Sequence, residues 1–216
     1  MIIAAISDSH GRWKRWKEFV DPEPELVIIA GDMFSSDNLS EQREEMKELM
    51  GVMKSGYPNA EFIIVPGNHD FYLQQEEYHQ PGVKVLVDSE LEFISLEGTT
   101  LKIWGNPWTM CGDLWAFSRS SGTKDLEIIP AGLDILVTHE APRLYKLKCV
   151  KDSLGDYGEE EPGNLELADV VKKQKPKIHI FGHIHKPEEG VVIGDTTFYN
   201  VSSLYPMKIK IEETYD

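Results

Sequence analysis

Cysteine is scarce in this sequence. Among its 216 residues only Cys111 and Cys149 are cysteines, and they form no C-x-x-C pair. A small secreted scaffold needs several cysteines for its disulfides, and a structural zinc site needs closely spaced thiolates. The sequence therefore predicts neither a disulfide framework nor a thiolate zinc site, and a reducing cytosol fits it best.

Basic residues are also in short supply. Lys and Arg number 22 against 37 Asp and Glu, which gives a net charge of −15 with the histidines neutral. Proteins hold long nucleic acids mainly through contacts of Lys and Arg with phosphates, and no basic run is present here. We therefore expect no long nucleic acid as a partner. A small anionic ligand remains compatible with the charge, provided that metal ions lie beside it.

Long apolar segments and linkers are absent as well. Residues 1–6 are apolar but lack the basic flank and the length of a signal peptide, and no other segment approaches the roughly 20 apolar residues of a membrane-spanning helix. These absences predict a soluble, cytoplasmic protein without membrane contact. Because neither an internal repeat nor a low-complexity linker interrupts the chain, we expect residues 1–216 to form a single domain.

Short apolar runs are abundant and predict buried strands. Helical spacing of apolar residues appears between the first three runs, at residues 12–20 and 39–54. The order strand, helix, strand indicates parallel pairing and an α/β fold. The five runs are residues 2–6, 26–30, 62–65, 135–137 and 178–181.

Three further regions lack intervening helices. Residues 83–104, 191–200 and 207–211 have the pattern of short strands joined directly, as in meanders or hairpins. The sequence therefore predicts a second sheet, mixed or antiparallel, beside the parallel one.

Groups of Asp, His, Asn and Gly lie at the ends of the five predicted strands. In α/β sheets ligand sites lie outside the carboxyl ends of the strands, so these side chains are expected to meet. In chain order the groups are Asp8-Ser9-His10-Gly11, Gly31-Asp32, Gly67-Asn68-His69-Asp70, Thr138-His139-Glu140 and Gly182-His183-Ile184-His185.

The residue types in these groups suit a divalent metal. Five of the seven histidines belong to them, and the Asp-x-His and His-x-His spacings each supply two ligands from one strand end. One such group alone is weak evidence, because a lone Asp-x-His or Gly-Asp is common in capped turns. Five groups together have no good structural explanation, since so many polar side chains would be costly to bury without a ligand.

The order and types of these groups resemble the calcineurin-like metallophosphoesterase superfamily, with its D-x-H, G-D, G-N-H-D, single His and G-H-x-H blocks. The resemblance extends from Asp8 to His185. It implies a β-sandwich of two mixed sheets flanked by helices, in a four-layer αββα arrangement. It also implies an enzyme that hydrolyses a phosphate ester.

The resemblance further implies a centre of two divalent metal ions, Mn, Fe or Zn, with Mn favoured for activity in vitro. A hydroxide bridging the two ions would be the nucleophile. By motif, the first ion would be held by Asp8, His10 and His185, the second by Asn68, His139 and His183, and both by Asp32.

The histidine of the G-N-H-D block has a separate role in this family. By resemblance His69 is a general acid for the leaving group or a donor to a phosphate oxygen, and Asp70 is expected to orient and charge its ring. After Gly31-Asp32 many family members carry a further acidic or polar signature, where this chain has Met33, Phe34 and Ser35. That departure leaves the subfamily, and hence the substrate, open.

Weaker signals concern the substrate. An aromatic segment with Trp108 and Trp115 resembles one in small enzymes acting on phosphodiesters such as cyclic nucleotides. A base could stack on either indole, with core packing as the alternative. Arg143 and Arg12 could bind a phosphate or could simply be solvated, and His179 is expected to be structural.

The sequence thus favours hydrolysis of a small phosphodiester. Alternatives within the same fold are a phosphomonoesterase and a nuclease, and a non-catalytic metal-binding scaffold is the alternative from another class. A scaffold has no reason to retain all seven predicted ligands and His69, whereas this chain retains them.

Overall fold

The computed structural model describes residues 1–13, 22–74, 82–119, 126–143 and 163–211. Most of the helix predicted over residues 12–20 lies outside these ranges, as does Cys149. No helix in the described ranges has the length and apolar character needed to cross a bilayer.

The first sheet has five strands in the order β11-β1-β2-β3-β4. Strands β1 to β4 are parallel, and β11 pairs antiparallel with β1. These strands are β1 (Ile2–Ile6), β2 (Leu26–Ile29), β3 (Glu61–Ile64), β4 (Lys84–Val85) and β11 (Met207–Lys210).

The second sheet has six strands in the order β5-β6-β7-β8-β10-β9. Its four central strands are parallel, and its two edge strands pair antiparallel with their neighbours. These strands are β5 (Ser89–Ile94), β6 (Thr100–Asn106), β7 (Ile135–Thr138), β8 (Ile178–Phe181), β9 (Glu188–Ile193) and β10 (Thr196–Asn200).

Two α-helices lie in the described residues. Helix α1 (Leu39–Gly56) was predicted; it begins after Asn38, whose side chain accepts hydrogen bonds from the backbone N–H groups of Ser40 and Glu41. Helix α2 (Leu165–Gln174) was not predicted. Its buried face is only Leu167, Val170 and Val171, which is too few apolar residues for a clear helical pattern.

The apolar residues form three layers that order the elements. In β1, Ala4 and Ile6 pack with α1, whereas Ile3 and Ala5 face the second sheet. On the far side of the second sheet a third cluster packs against α2. Apolar clusters cover both faces of each sheet, and for this reason the central strands are apolar at consecutive positions. The expected α/β sandwich of two mixed sheets between helices is confirmed.

Candidate metal centre

The predicted ligands lie at the carboxyl ends of strands in both sheets. Asp8, Asp32 and Asn68 follow β1, β2 and β3, which are parallel neighbours in the first sheet. His139 and His183 follow β7 and β8, which are parallel neighbours in the second. The backbone N–H of Asp8 donates to the carbonyl of Gly31 at 3.0 Å, so adjacent strand ends are held together. Parallel pairing is therefore what gathers residues from distant parts of the chain.

Four of the predicted ligands have a left-handed backbone. The φ angles of Asp8, His10, Asp32 and His183 are 55°, 42°, 54° and 67°. Such a conformation costs a non-glycine residue about 1 kcal/mol or more, and it persists only where the surrounding structure enforces it. Here it turns the chain sharply at each strand end. The strain is thus concentrated at the predicted metal ligands.

Two glycines are required for the close approach of these turns. A Cβ on Gly31, whose φ is +90°, would collide with Nδ1 of His139 and with the backbone of Gly67. A Cβ on Gly182 would collide with Oγ of Ser7 and with the carboxylate of Asp8. The G-D and G-H-x-H blocks therefore need glycine because side chains of other blocks occupy that space.

The first group of ligand atoms comprises Asp8, His10 and His185, which offer atoms within 4.8 Å of one another. Nε2 of His185 lies 3.1 Å from Oδ1 of Asp8. Oδ2 of Asp8 accepts hydrogen bonds from the hydroxyls of Ser7 and Ser202. Burial opposes the charge on Asp8, but the bond with His185 and nearby positive charge hold its pKa well below the usual range. Asp8 is thus a fixed, ionised carboxylate suited to a cation.

The second group comprises Asp8, Asp32 and His139, again with ligand atoms within 4.8 Å. Nδ1 of His139 donates to the carbonyl of Ala30 at 2.7 Å, which directs Nε2 towards Oδ1 of Asn68 at 3.1 Å and Oδ2 of Asp32 at 3.4 Å. Imidazole, carboxylate and amide oxygen together are donors that suit a divalent transition metal.

The charge balance of this second group also fits a metal ion. Burial opposes protonation of His139, yet the charge of Asp32 and its hydrogen bond raise the pKa of His139 to about 10. The buried carboxylates therefore demand positive charge at this position. A divalent ion bound by these residues would supply that charge, and His139 would bind it as the neutral imidazole.

Asp8 is the residue common to both groups, whereas Asp32 belongs to the second. Oδ1 of Asp32 accepts the backbone N–H of His69 at 2.8 Å. His183 belongs to neither group; its Nε2 lies 3.6 Å from Sγ of Cys111, and its ring centroid lies 5.2 Å from that of His139. Bridging by Asp32 and ligation by His183 stay predictions.

The structure corrects the partner expected for His69. Nδ1 of His69 lies 2.9 Å from Oδ1 of Asp37, not from Asp70. The buried Asp70 carboxylate instead accepts the backbone N–H groups of Asp32, Met33 and Gly67 at 2.7–3.0 Å. Three orphan N–H groups at two tight turns need an acceptor, and Asp70 supplies it. Asp70 therefore ties two strand ends together, and burial with the nearby Asp32 charge raises its pKa to about 7.

Other contacts of the site were missed from the sequence. Ser7 is adjacent to Asp8 and could have been suspected, but Ser202 gives no signal because 194 positions separate it from Asp8. Glu140, buried beside His139, accepts the backbone N–H of Met110 at 2.9 Å. Such contacts depend on which loops the fold brings together.

The structure separates the two candidate tryptophans. Nε1 of Trp108 donates to Asp88 at 2.7 Å, and the Arg119 guanidinium lies 3.8 Å from its ring centroid. Trp108 is partly buried against the apolar cluster under the first sheet, which favours the core-packing alternative, and its contact with substrate stays a prediction. Trp115 lies against His69, with ring centroids 4.5 Å apart.

The two candidate arginines contact the backbone. Nε of Arg143 donates to the carbonyl of Gly163 at 3.3 Å, and Nε of Arg12 donates to the carbonyl of Ser9 at 3.2 Å. Arg12 stays close to the site, two positions beyond His10, whereas no described contact joins Arg143 to a predicted ligand. Phosphate binding by either residue stays a prediction.

Two solved structures have the same fold. Protein TT1561 of Thermus thermophilus superposes with a TM-score of 0.62 at 14% identity, covering 94% of this chain and 89% of that one. Phosphopantetheinyl hydrolase from Mycobacterium tuberculosis superposes with a TM-score of 0.57 at 18% identity, covering 94% and 89%. At such identities the likeness establishes the fold alone.

Sequence comparison identifies the family. Human metallophosphoesterase domain-containing protein 1 is 28% identical over 226 aligned residues, which cover 93% of this chain. The chain spans 65% of that relative's length. The model of the calcineurin-like phosphoesterase family matches residues 1–187, which include every predicted metal ligand. The chain therefore belongs to the calcineurin-like phosphoesterase family.

Proposed function

We propose that this protein hydrolyses phosphate esters at a centre of two divalent metal ions, and that its substrate is a small phosphodiester. The observation that carries the proposal is the pair of ligand groups that share Asp8 at the strand ends. Family membership supports phosphoester hydrolysis at a metal centre. When bound, such ions lower the pKa of water and neutralise charge on phosphoryl oxygens.

The proposed ligands are held before any substrate arrives. Hydrogen bonds from Ser7, Ser202 and the backbone N–H of His183 fix the Asp8 carboxylate. The carbonyl of Ala30 fixes the tautomer of His139, so that Nε2 faces the site. Partners of this kind orient ligands and typically change metal affinity by about 10–100-fold when removed. The proposed set of metal ligands is completed by His10, Asp32, Asn68, His183 and His185.

His69 is the proposed acid for the leaving group. A carboxylate only accepts hydrogen bonds, so the Nδ1–H group of His69 donates a hydrogen bond to Asp37. In the proposed acid step the ring starts doubly protonated: Nδ1–H keeps its hydrogen bond to Asp37, the Nε2 proton passes to the departing ester oxygen, and neutral imidazole remains. The His69 side chain is 30% exposed and its ring lies 5.2 Å from that of His10, so it borders the proposed centre and remains open to a substrate. Asp37 takes the orienting role once expected of Asp70.

Two features favour a small diester. A diester carries one negative charge whereas a monoester carries up to two, so a protein with net charge −15 repels the diester less. Beside His69, Trp115 is followed along the chain by Ala116, whose N–H donates to the carbonyl of Asn68. On the same loop Leu114 is 90% exposed and Met110 is 51% exposed. This apolar surface suits an organic leaving group.

The test is a substrate screen of protein reconstituted with Mn²⁺, Fe²⁺ or Zn²⁺. Substrates would be p-nitrophenyl phosphate, bis(p-nitrophenyl) phosphate, and 2′,3′- and 3′,5′-cyclic nucleotides. We expect the highest kcat/KM on a diester, complete loss with a chelator and recovery with Mn²⁺. Turnover of monoesters alone would overturn the diester preference. Metal-loaded protein inactive on every ester would overturn hydrolysis itself.

A further inference from the structure

Gln42 is a fully buried polar residue in the first turn of α1. Its Nε2 donates to two backbone carbonyls, those of Ser36 and His69, each at 2.6 Å. Its Oε1 accepts the backbone N–H of Tyr72 at 2.8 Å. Both donors and the acceptor of the amide are therefore used, and all three partners lie outside α1.

The two carbonyls bound by Gln42 belong to the loops that form the His69 pair. Ser36 immediately precedes Asp37, and Oδ1 of Asp37 lies 2.9 Å from Nδ1 of His69. On the other side of His69, its backbone N–H donates to Oδ1 of Asp32 at 2.8 Å. Gln42 thus fixes the distance between the loop that carries Asp37 and the turn that carries His69.

The neighbours of Gln42 on α1 would favour an apolar residue at this position. Met46 and Leu49 lie on the same buried helix face and belong to the apolar cluster under the first sheet. A buried amide is tolerated among such residues only when all its hydrogen bonds are made, because unpaired buried polar groups are costly. Three hydrogen bonds to two functional loops account for its presence.

We infer that Gln42 is a positioning residue: it holds Asp37 and His69 in register so that the His69 ring faces the leaving group. This inference rests on the proposed function, since it assigns Gln42 to the acid step of that hydrolysis. It assigns Gln42 no contact with metal or substrate. Its removal should therefore impair the protonation of poor leaving groups and leave metal binding intact.

The test compares two diaryl phosphates that differ only in the nitro groups, bis(p-nitrophenyl) phosphate and diphenyl phosphate. Phenol is the poorer leaving group and depends more on a proton donor. Gln42→Met removes all three hydrogen bonds, and Gln42→Glu keeps an acceptor for Tyr72 while removing both donors. We expect each variant to lose about 10-fold more kcat/KM on diphenyl phosphate than on the nitrophenyl ester, since a misplacement of about 1 Å can cost up to 100-fold. Metal content should not change.

Leu49→Ala is the matched control for helix destabilisation. Leu49 is fully buried on the same face of α1, and it belongs to the apolar cluster rather than to the hydrogen bonds around His69. It should lower Tm without selectivity between the two esters. Equal losses on both esters in the Gln42 variants, as in this control, would overturn the positioning role.

Two further variants separate the possible failures. In a His69→Ala background, Gln42→Met should add no selective loss, because the residue that it positions is gone. Asp37→Asn should show the same selective loss as the Gln42 variants, and since the Asp37 side chain is 55% exposed this variant will fold even where Gln42 variants do not. An Asp37→Asn protein without selectivity would overturn the inference. A wild type inactive on both esters would refute the proposed function instead.

Discussion

At the residue scale, the candidate site depends on carboxylates that are each held by several donors. Oδ2 of Asp8 accepts three hydrogen bonds and the Asp70 carboxylate accepts three, while Oδ1 of Asp32 accepts the N–H of His69. Similar side chains therefore have different tasks. The Asp70 carboxylate accepts hydrogen bonds from three backbone N–H groups and thereby stabilises the turns. Asp8 and Asp32 each keep an oxygen directed at an imidazole, as their predicted role as metal ligands requires.

Replacing Asp32 with Ala should abolish hydrolysis and remove at least one metal equivalent. The reason is that Oδ2 of Asp32 lies 3.4 Å from Nε2 of His139 and supplies negative charge with which the second ligand group attracts a cation. Activity should fall by more than about 100-fold, the upper range for mere partners of ligands. Elemental analysis and kcat/KM on bis(p-nitrophenyl) phosphate provide the measurement. Glu90→Ala, on the exposed face of β5, is the control, and retention of both metals by Asp32→Ala would contradict the assignment.

At the scale of elements, strands β7 and β8 end at predicted metal ligands, and a structural histidine on β8, His179, forms a hydrogen bond with β7. Nε2 of His179 donates to Oγ1 of Thr138 at 2.9 Å, and that hydroxyl donates to the carbonyl of Glu140. In the described part of the chain Nδ1 of His179 has no hydrogen-bond partner. His179 is thus neutral, and it supports the turn that presents His139 without being a ligand.

Burial lowers the pKa of His179 to about 3, from 6.5. Below about pH 6.5 the unfolded chain therefore binds a proton that the folded chain refuses until about pH 3, and stability falls as the pH falls through this window. The slope from this group should be about 1.4 kcal/mol per pH unit. Urea unfolding from pH 7 to pH 4 should give a shallower decline for His179→Leu than for wild type. Parallel curves would show that His179 does not contribute.

At the scale of the whole molecule, a net acidic charge accompanies a site that is proposed to bind phosphate esters. A net charge of −15 would repel any phosphorylated ligand if the site offered no compensating cations. Metal ions are the largest local charges in such a site and reverse the sign of the local field. Under the proposed function, the phosphates of a polymer that extend beyond the metal centre would meet net negative charge without compensating cations. A small substrate is therefore expected rather than a polymer.

Long duplex DNA should therefore bind weakly at physiological salt, since few of its phosphates can be neutralised. A gel-shift titration of metal-loaded protein with a long DNA duplex of arbitrary sequence gives the measurement. We expect no complex at micromolar protein. Submicromolar binding would favour the nuclease alternative over the small diester.

Much of the site was determined by the sequence alone, because it is built from local motifs. A strand followed at once by Asp-x-His, or by Gly-His-x-His, carries its ligands wherever that strand is placed. The family resemblance that these motifs carry named the seven predicted ligands before the fold was known, and apolar spacing by itself predicted β1 to β3 and α1. The apolar runs also fixed the fold class, since each must be buried on both faces.

Only the tertiary structure decided which strands and loops meet. Strands β7 and β8 joined the second sheet and β4 and β11 the first, which short apolar runs cannot specify because each would fit either sheet. His69 forms its hydrogen bond with Asp37 rather than with its neighbour Asp70, and Asp8 forms one with Ser202, 194 positions away. A hydrogen bond depends on the distance between two side chains in space, and for residues far apart in the chain that distance is set by the packing of the two sheets rather than by sequence spacing.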